Sequence, residues 1–193
     1  MLVQFVLLVA ATTGLSDGDF ADALKGEIPV RSESFVTPSG KSAGRGVGAV
    51  VVDKPIGEVW STLSRYEDKA EYQPRVESVT VLEKSPARVH AKFVIDATVT
   101  TARYTAFFDL DEKSHTIHWS LDPSATDNTI LEIDGDYRMF ELEPGRTLIV
   151  YRTYVDSGRS ISQSIQGYFT RKAIPNLLKA VKKRIESGGT WRK

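Results

Sequence analysis

Six segments between Val76 and Asp156 read as strands joined by short turns. They constrain the fold more than anything else in this 193-residue chain. Val76–Glu83 turns at Lys84-Ser85-Pro86 into Arg88–Ile95. Val99–Asp109 turns through Asp111-Glu112-Lys113 into His115–Leu121. Asn128–Glu141 turns at Pro144-Gly145 into Thr147–Asp156. Strands this close together, with turn residues between them, predict an antiparallel meander. An apolar, β-branched strand, Gly46–Asp53, precedes them. Pro55 then stands at a first helical position, and Val59, Trp60 and Leu63 predict a short helix. A second short helix over Glu67–Tyr72 is stopped by Pro74.

The last element is of a different kind. From Ser160, which opens a capping box with Gln163, the residues Ile161, Ile165, Tyr168, Phe169, Ala173, Leu177, Val181 and Ile185 recur at three- and four-residue steps. That spacing predicts one apolar stripe on a long amphipathic helix. About 26 residues at ~1.5 Å each give roughly 40 Å, enough to cross a whole curved sheet. Pro175 should kink this helix, and Gly188 should end it.

Alternation assigns the strand faces, since residues i and i+2 point the same way. Val89, Ala91, Phe93 and Ile95 oppose Arg88, His90 and Lys92. Ala102, Tyr104, Ala106 and Phe108 oppose Thr101, Arg103 and Thr105. Ile117, Trp119 and Leu121 oppose His118 and Ser120. Leu131, Ile133, Tyr137 and Met139 oppose Glu132, Asp134, Asp136 and Arg138. Each apolar set should face the helix, and the acidic row Glu132, Asp134, Asp136 should lie on a solvated convex face. The last strand has two registers. A tight turn at Pro144-Gly145 pairs residues whose numbers sum to 289, which puts Leu148, Val150, Arg152 and Tyr154 inside. A one-residue slip puts Ile149, Tyr151, Thr153 and Val155 there instead. We take the first as the expectation.

The order of strand, two short helices, six strands and long helix carries a resemblance. Asp53-Lys54-Pro55 before Val59-Trp60, Tyr72-Gln73-Pro74 before Val79, Gly135-Asp136-Tyr137 and Thr147–Tyr151 together resemble the START-like (SRPBCC) superfamily. Its members include polyketide cyclase-like, coenzyme Q-binding-like and lipid-transfer-like domains. The resemblance implies an α+β helix-grip fold over residues 43–187, a curved sheet of about seven strands around the C-terminal helix, with a cavity between. It does not single out one activity. The small pair Ala102 and Ala106 would then sit in a hollow walled by Phe93, Tyr104, Phe108, Trp119, Ile133 and Tyr137. Arg152 and Tyr154 would join it from the last strand, and Ile165, Tyr168, Phe169 and Leu177 from the helix. The expected function is binding, transport or sequestration of a hydrophobic small molecule such as a lipid or isoprenoid. The rival is a cyclase/aromatase-like enzyme, with Arg152, Tyr104 or Tyr137 polarising a carbonyl. Exchange would use the loops Leu121–Asn128 and Asp156–Ser160.

Other classes find little support. No cysteine is present, so disulfides, thiolate nucleophiles and Cys-held metals are excluded. The three histidines His90, His115 and His118 show no metal-ligand spacing, and no metal or cofactor is expected. No Gly-x-Ser-x-Gly turn or other catalytic set is legible. Lys+Arg and Asp+Glu both number 25, so nucleic acid is not an expected partner. The charge is uneven, however. Residues 160–193 hold eight basic residues and one acid, +7, which leaves −7 for the remainder. This basic end predicts transient contact with an anionic membrane surface, balanced against an ordinary solvated helix face. At the other end, Met1–Ala11 is apolar and is followed by small residues, which reads as a signal peptide over 1–16 and export to the periplasm or medium. Without it the protein would be cytoplasmic. Residues 17–42 read as a linker with an edge segment around Glu27–Val36, and 188–193 as a tail.

Overall fold

The computed structural model describes residues 13–96, 101–157 and 172–193. One eight-stranded antiparallel sheet organises them. Its strands are β1 (Val30–Val36), β2 (Ser42–Val52), β3 (Val76–Lys84), β4 (Arg88–Asp96), β5 (Thr101–Asp111), β6 (Thr116–Leu121), β7 (Glu132–Glu143) and β8 (Arg146–Asp156), in the spatial order β1-β2-β8-β7-β6-β5-β4-β3. The helices are α1 (Asp17–Leu24), α2 (Ile56–Leu63), α3 (Lys69–Tyr72) and α4 (Ile174–Glu186). The extra strand beyond the expected seven is β1, which pairs with β2 at the sheet edge.

β2 explains the layering. Its end, Val47-Gly48-Ala49-Val50-Val51-Val52, is apolar in both phases of the alternation, the mark of a strand buried on two sides. On the concave side Val50 and Val52 pack with Val59, Trp60 and Leu63 of α2 and with Ile174, Leu178, Val181 and Ile185 of α4. On the convex side Val47, Ala49 and Val51 form a second core with Leu148 and Val150 of β8 and Phe20 and Ala23 of α1. The stretch read as a linker therefore includes a helix that covers the back of the sheet. Ser16 caps it by accepting from the Asp19 amide (3.1 Å).

The buried side chains of α4 recur at i, i+4, i+7 and i+11, so one stripe faces the sheet. The helix lies close to β2 because that strand presents glycines to it. A Cβ on Gly48 would stand 2.7 Å from Ile174 Cγ2 and 2.9 Å from Leu178 Cδ1. Pro175 is the second residue of the described helix. At the other end Gly188 takes φ +66° and the Gly189 amide donates to the Arg184 carbonyl (2.8 Å), so the predicted stop is a glycine cap. The expected tail is docked. Lys193 Nζ donates to the carbonyls of Gln73 (3.0 Å) and Val76 (2.6 Å), and Trp191 packs at the core's edge.

The last strand takes the other register. Glu143 pairs with Arg146, in line with the sum of 289, but Glu141 pairs with Thr147 and Tyr137 with Tyr151. Leu142 is the extra residue of a β-bulge, and it shifts the rest of β8 by one. Ile149, Tyr151, Thr153 and Val155 thus share the concave face, while Leu148, Val150, Arg152 and Tyr154 lie on the convex one. Arg152 and Tyr154 are not cavity residues. Tyr154 meets Phe35 edge-on at 5.1 Å. Arg152 is buried beneath the N-terminal segment, where Nη2 donates to the Thr13 carbonyl (2.6 Å) and Nη1 to Asp136 Oδ1 (3.3 Å).

This contact also moves a boundary. Thr13 is fully buried, Leu15 packs on the convex core and Ser16 caps α1, so residues 13–16 pack with the folded domain. Residues 1–12 lie outside the described residues. Any leader removed from the chain should therefore end at or before residue 12. N-terminal sequencing of protein from its own host checks this: a mature chain starting later than Thr13 would contradict it.

Candidate functional site

The concave face of β4–β8 is a nearly continuous aromatic wall. Phe93 of β4 stacks on Tyr104 of β5 (centroids 5.3 Å apart, planes within 2°), and Tyr66, just before α3, lies 4.4 Å from Phe108. Trp119 of β6 sits between Phe108 (6.4 Å), Tyr137 of β7 (5.3 Å) and Tyr151 of β8 (5.6 Å). Ala102, Ala106 and Ile133 share this face by alternation. Of the expected wall, Phe93, Ala102, Tyr104, Ala106, Phe108, Trp119, Ile133 and Tyr137 come together. Leu177 is partly buried against the same core. Ile165, Tyr168 and Phe169 fall outside the described residues.

Gly135 makes the centre of the wall possible. It pairs with Trp119 across β6 and β7, and a Cβ there would stand 2.3 Å from Trp119 Cζ2 and 2.4 Å from the Arg152 carbonyl oxygen. The indole lies across the bare backbone, and the carbonyl cannot turn aside. Gly135→Ala should cost about 1–3 kcal/mol by overpacking and redshift the tryptophan emission. Thermal melts and fluorescence spectra read both effects.

One charged side chain reaches into this wall, and no catalytic or binding pattern in the sequence flagged it. Lys69 is 3% exposed. Its Nζ lies 4.4 Å from the centroid of Tyr66 and 6.0 Å from that of Tyr137, and donates to the Leu63 carbonyl at the end of α2 (2.8 Å). That carbonyl is an orphan acceptor at the negative end of the helix, a favourable place for a cation. Burial nevertheless pushes the ammonium down from the usual lysine value to about 7, with Glu67 opposing weakly. Burial likewise raises the phenols of Tyr66, Tyr72, Tyr104, Tyr137 and Tyr151. Sequence reading placed a short helix over Glu67–Tyr72 and gave Lys69 no role; the three-residue step from Lys69 to Tyr72 puts those two on one side of α3.

The polar residues singled out from the sequence lie elsewhere. The acidic row is on the convex face, and each member has a partner: Glu132 accepts from Ser39, Asp134 from His118 (3.0 Å), and Asp136 from Arg138 (3.1 Å) as well as Arg152. The Asp134 contact raises the pKa of His118. His90 pairs with Asp122 (2.9 Å), and His115 packs edge-on to Trp60 at 5.9 Å. Sequence reading gave neither His90 nor His118 a carboxylate partner, because both pairs form across strands or loops. The loop Leu121–Asn128, expected to open for exchange, is fastened down. Asp122 accepts from Ser124, and Asn128 bridges the Thr105 amide (2.8 Å) and the Asp122 carbonyl (2.7 Å). In the other exchange loop, residues 158–160 lie outside the described residues. Much of the basic C-terminal charge is engaged internally. Arg184 is buried against Glu71 (2.9 Å) and Asp68 (3.4 Å), Arg192 reaches Glu71 (3.3 Å), and Lys182 holds Glu186 and the Val51 carbonyl. Among the described residues no cluster of His, Asp and Glu could hold a metal ion, and no helix is long and apolar enough to cross a membrane.

A curved antiparallel sheet gripping a C-terminal helix, with its concave face lined by aromatics, defines a START-like (SRPBCC) helix-grip protein. Solved structures share the fold at low identity. A STAR-related lipid transfer protein from Xanthomonas axonopodis matches at 14% identity and TM-score 0.68, over 82% of this chain and 93% of that one. The Zhui aromatase/cyclase from Streptomyces sp. R1128 matches at 18% and 0.61, over 83% and 94%. Human StAR-related lipid transfer protein 5 matches at 12% and 0.63, over 97% of both chains. No curated protein sequence matches the chain. The chain belongs to the family described as polyketide cyclase / dehydrase and lipid transport, whose sequence pattern it matches over residues 52–182.

Proposed function

We propose that this protein binds a hydrophobic small molecule, a lipid or isoprenoid, against the concave aromatic wall. The observation that carries the reading is the wall itself: aromatic side chains from five adjacent strands on one concave face. Binding by enclosure would draw on apolar area removed from water at ~25 cal/mol per Å². The family and the lipid transfer proteins of the same fold support it. A second reading, a cyclase-type enzyme, is favoured by Lys69. An amine partly neutral near pH 7 beside buried phenols suits carbonyl activation. In that reading Tyr104, Tyr137 and Lys69 would act, and Arg152, on the other face, would not. Carriage across an aqueous compartment agrees with the export reading of the N-terminus. Any membrane approach through the basic helix would rest on Lys172, Lys179 and Lys183, which are exposed.

Native mass spectrometry of protein purified from its own host tests the reading, followed by displacement of a fluorescent lipid. A co-purifying lipid mass is expected. Ala102, only partly buried on the inner face, is the place to fill the site, whereas fully buried Ala106 has no slack. Ala102→Trp should abolish fluorescent-lipid binding and leave the melting temperature nearly unchanged. An empty wild-type protein that displaces no lipid yet turns over a polyketide-like substrate would replace carriage with catalysis.

A further inference from the structure

We propose that Lys69 is the counter-charge for a carboxylate borne by the hydrophobic ligand, with the Tyr72 hydroxyl as a second donor to it. This rests on the binding reading above and adds the chemistry of the ligand's head.

A buried ammonium is stable only when paired, and breaking such a pair is costly. Lys69 is almost wholly buried, yet among the described residues no carboxylate pairs with it. The nearest acid acting on it, Glu67, is held at the surface by Lys84 (2.9 Å). Of three N–H donors, one goes to the Leu63 carbonyl, and the flanks of the ammonium face the rings of Tyr66 and Tyr137. Those rings belong to the aromatic wall, so the charge sits where a ligand lying on the wall would end.

A second group points the same way. Among the described residues the fully buried Tyr72 hydroxyl makes no hydrogen bond of ordinary geometry, although the Gln73 side chain acts on it. It lies close enough to the phenols of Tyr66 and Tyr137 for its charge to raise the pKa of both. An unmade hydrogen bond on a buried hydroxyl is a standing cost that an acceptor entering the site would remove. A carboxylate answers both groups: it brings the missing negative charge and has two oxygens that accept several hydrogen bonds. A neutral alcohol head offers one oxygen and no charge.

Delipidated protein, titrated with lauric, palmitic and oleic acids and with their matching alcohols, tests the assignment. Wild type should bind the best acid at least about tenfold more tightly than its alcohol. Lys69→Met should erase that preference by weakening the acid alone. Tyr72→Phe, which deletes one oxygen and keeps the ring, should weaken the acid several-fold and spare the alcohol. It carries the test should Lys69→Met fail to fold. Equal binding of acid and alcohol by wild type, or acid binding unchanged in both variants, overturns the assignment and leaves lipid binding standing. Binding of neither series overturns both.

Discussion

Arg152→Met should destabilise the protein by about 3–5 kcal/mol, the cost of leaving a buried charge without its partner. The guanidinium is 5% exposed and Asp136 6%. Among the described residues its loss leaves Asp136 with the half-exposed Arg138, and it takes the Nη2 donor from the Thr13 carbonyl. Arg152→Lys should not rescue, because an ammonium cannot reach two acceptors in the plane of a fork. Adding Asp136→Asn to Arg152→Met should recover part of the loss, since the uncompensated charge disappears. Urea unfolding of the four proteins reads the effect as a shift in midpoint at constant slope. Lipid binding should persist in whatever fraction stays folded, because Arg152 lies on the opposite face from the wall. An Arg152→Met protein as stable as wild type would mean that the N-terminal segment is not anchored there.

Lys69→Met should act in the opposite direction. A lysine that titrates near 10.5 in the unfolded chain and about 7 in the folded one holds fewer protons when folded across that window. Stability therefore rises with pH from about 7 to 10.5, and below 7 the full cost of burying the ammonium is present. That cost is on the order of 5 kcal/mol, offset in the variant by about 1–3 kcal/mol for the orphaned Leu63 carbonyl. The variant should be more stable than wild type at neutral pH, with a flatter stability profile from pH 7 to 10. Guanidinium melts at several pH values measure it. A wild-type profile already flat over that range would show that the amine is not desolvated. A residue that lowers stability where the protein works is the kind retained for a site rather than for the fold.

Much of the fold was legible because its signals are local. Period-two alternation placed Phe93, Tyr104, Phe108, Trp119 and Tyr137 on one face; of the helix stripe, Val181 and Ile185 are buried in α4, whereas Ile174 and Leu178 take the buried places expected of their neighbours Ala173 and Leu177. Pro55 and Gly188 marked helix ends. What was missed depends on single residues without a compositional signature. Leu142 looks like any strand residue, yet as a bulge it reverses the faces of β8 and takes Arg152 and Tyr154 out of the site. Lys69 looks like a surface lysine among Glu67, Asp68 and Glu71 until the sheet curls over it. The convex core escaped notice because α1 buries only Phe20 and Ala23 in it, with Leu24 at its edge, too few for a visible period.

The placement of β2 between β1 and β8 also sets the order in which the molecule can be made. Val47 pairs with Arg152, roughly a hundred residues further along the chain. During synthesis β2 and α1 emerge early, and a strand apolar on both faces must wait for β8 to close one edge and α4 to cover one side. Non-local pairing of this kind is slow to form, and an uncovered β-branched strand edge invites association with other chains. Helix α1, available from the outset, can shield the convex face of the β1–β2 hairpin during that wait. The N-terminal segment is thus placed to cover the first hairpin once the two have packed together, before the rest of the sheet is complete.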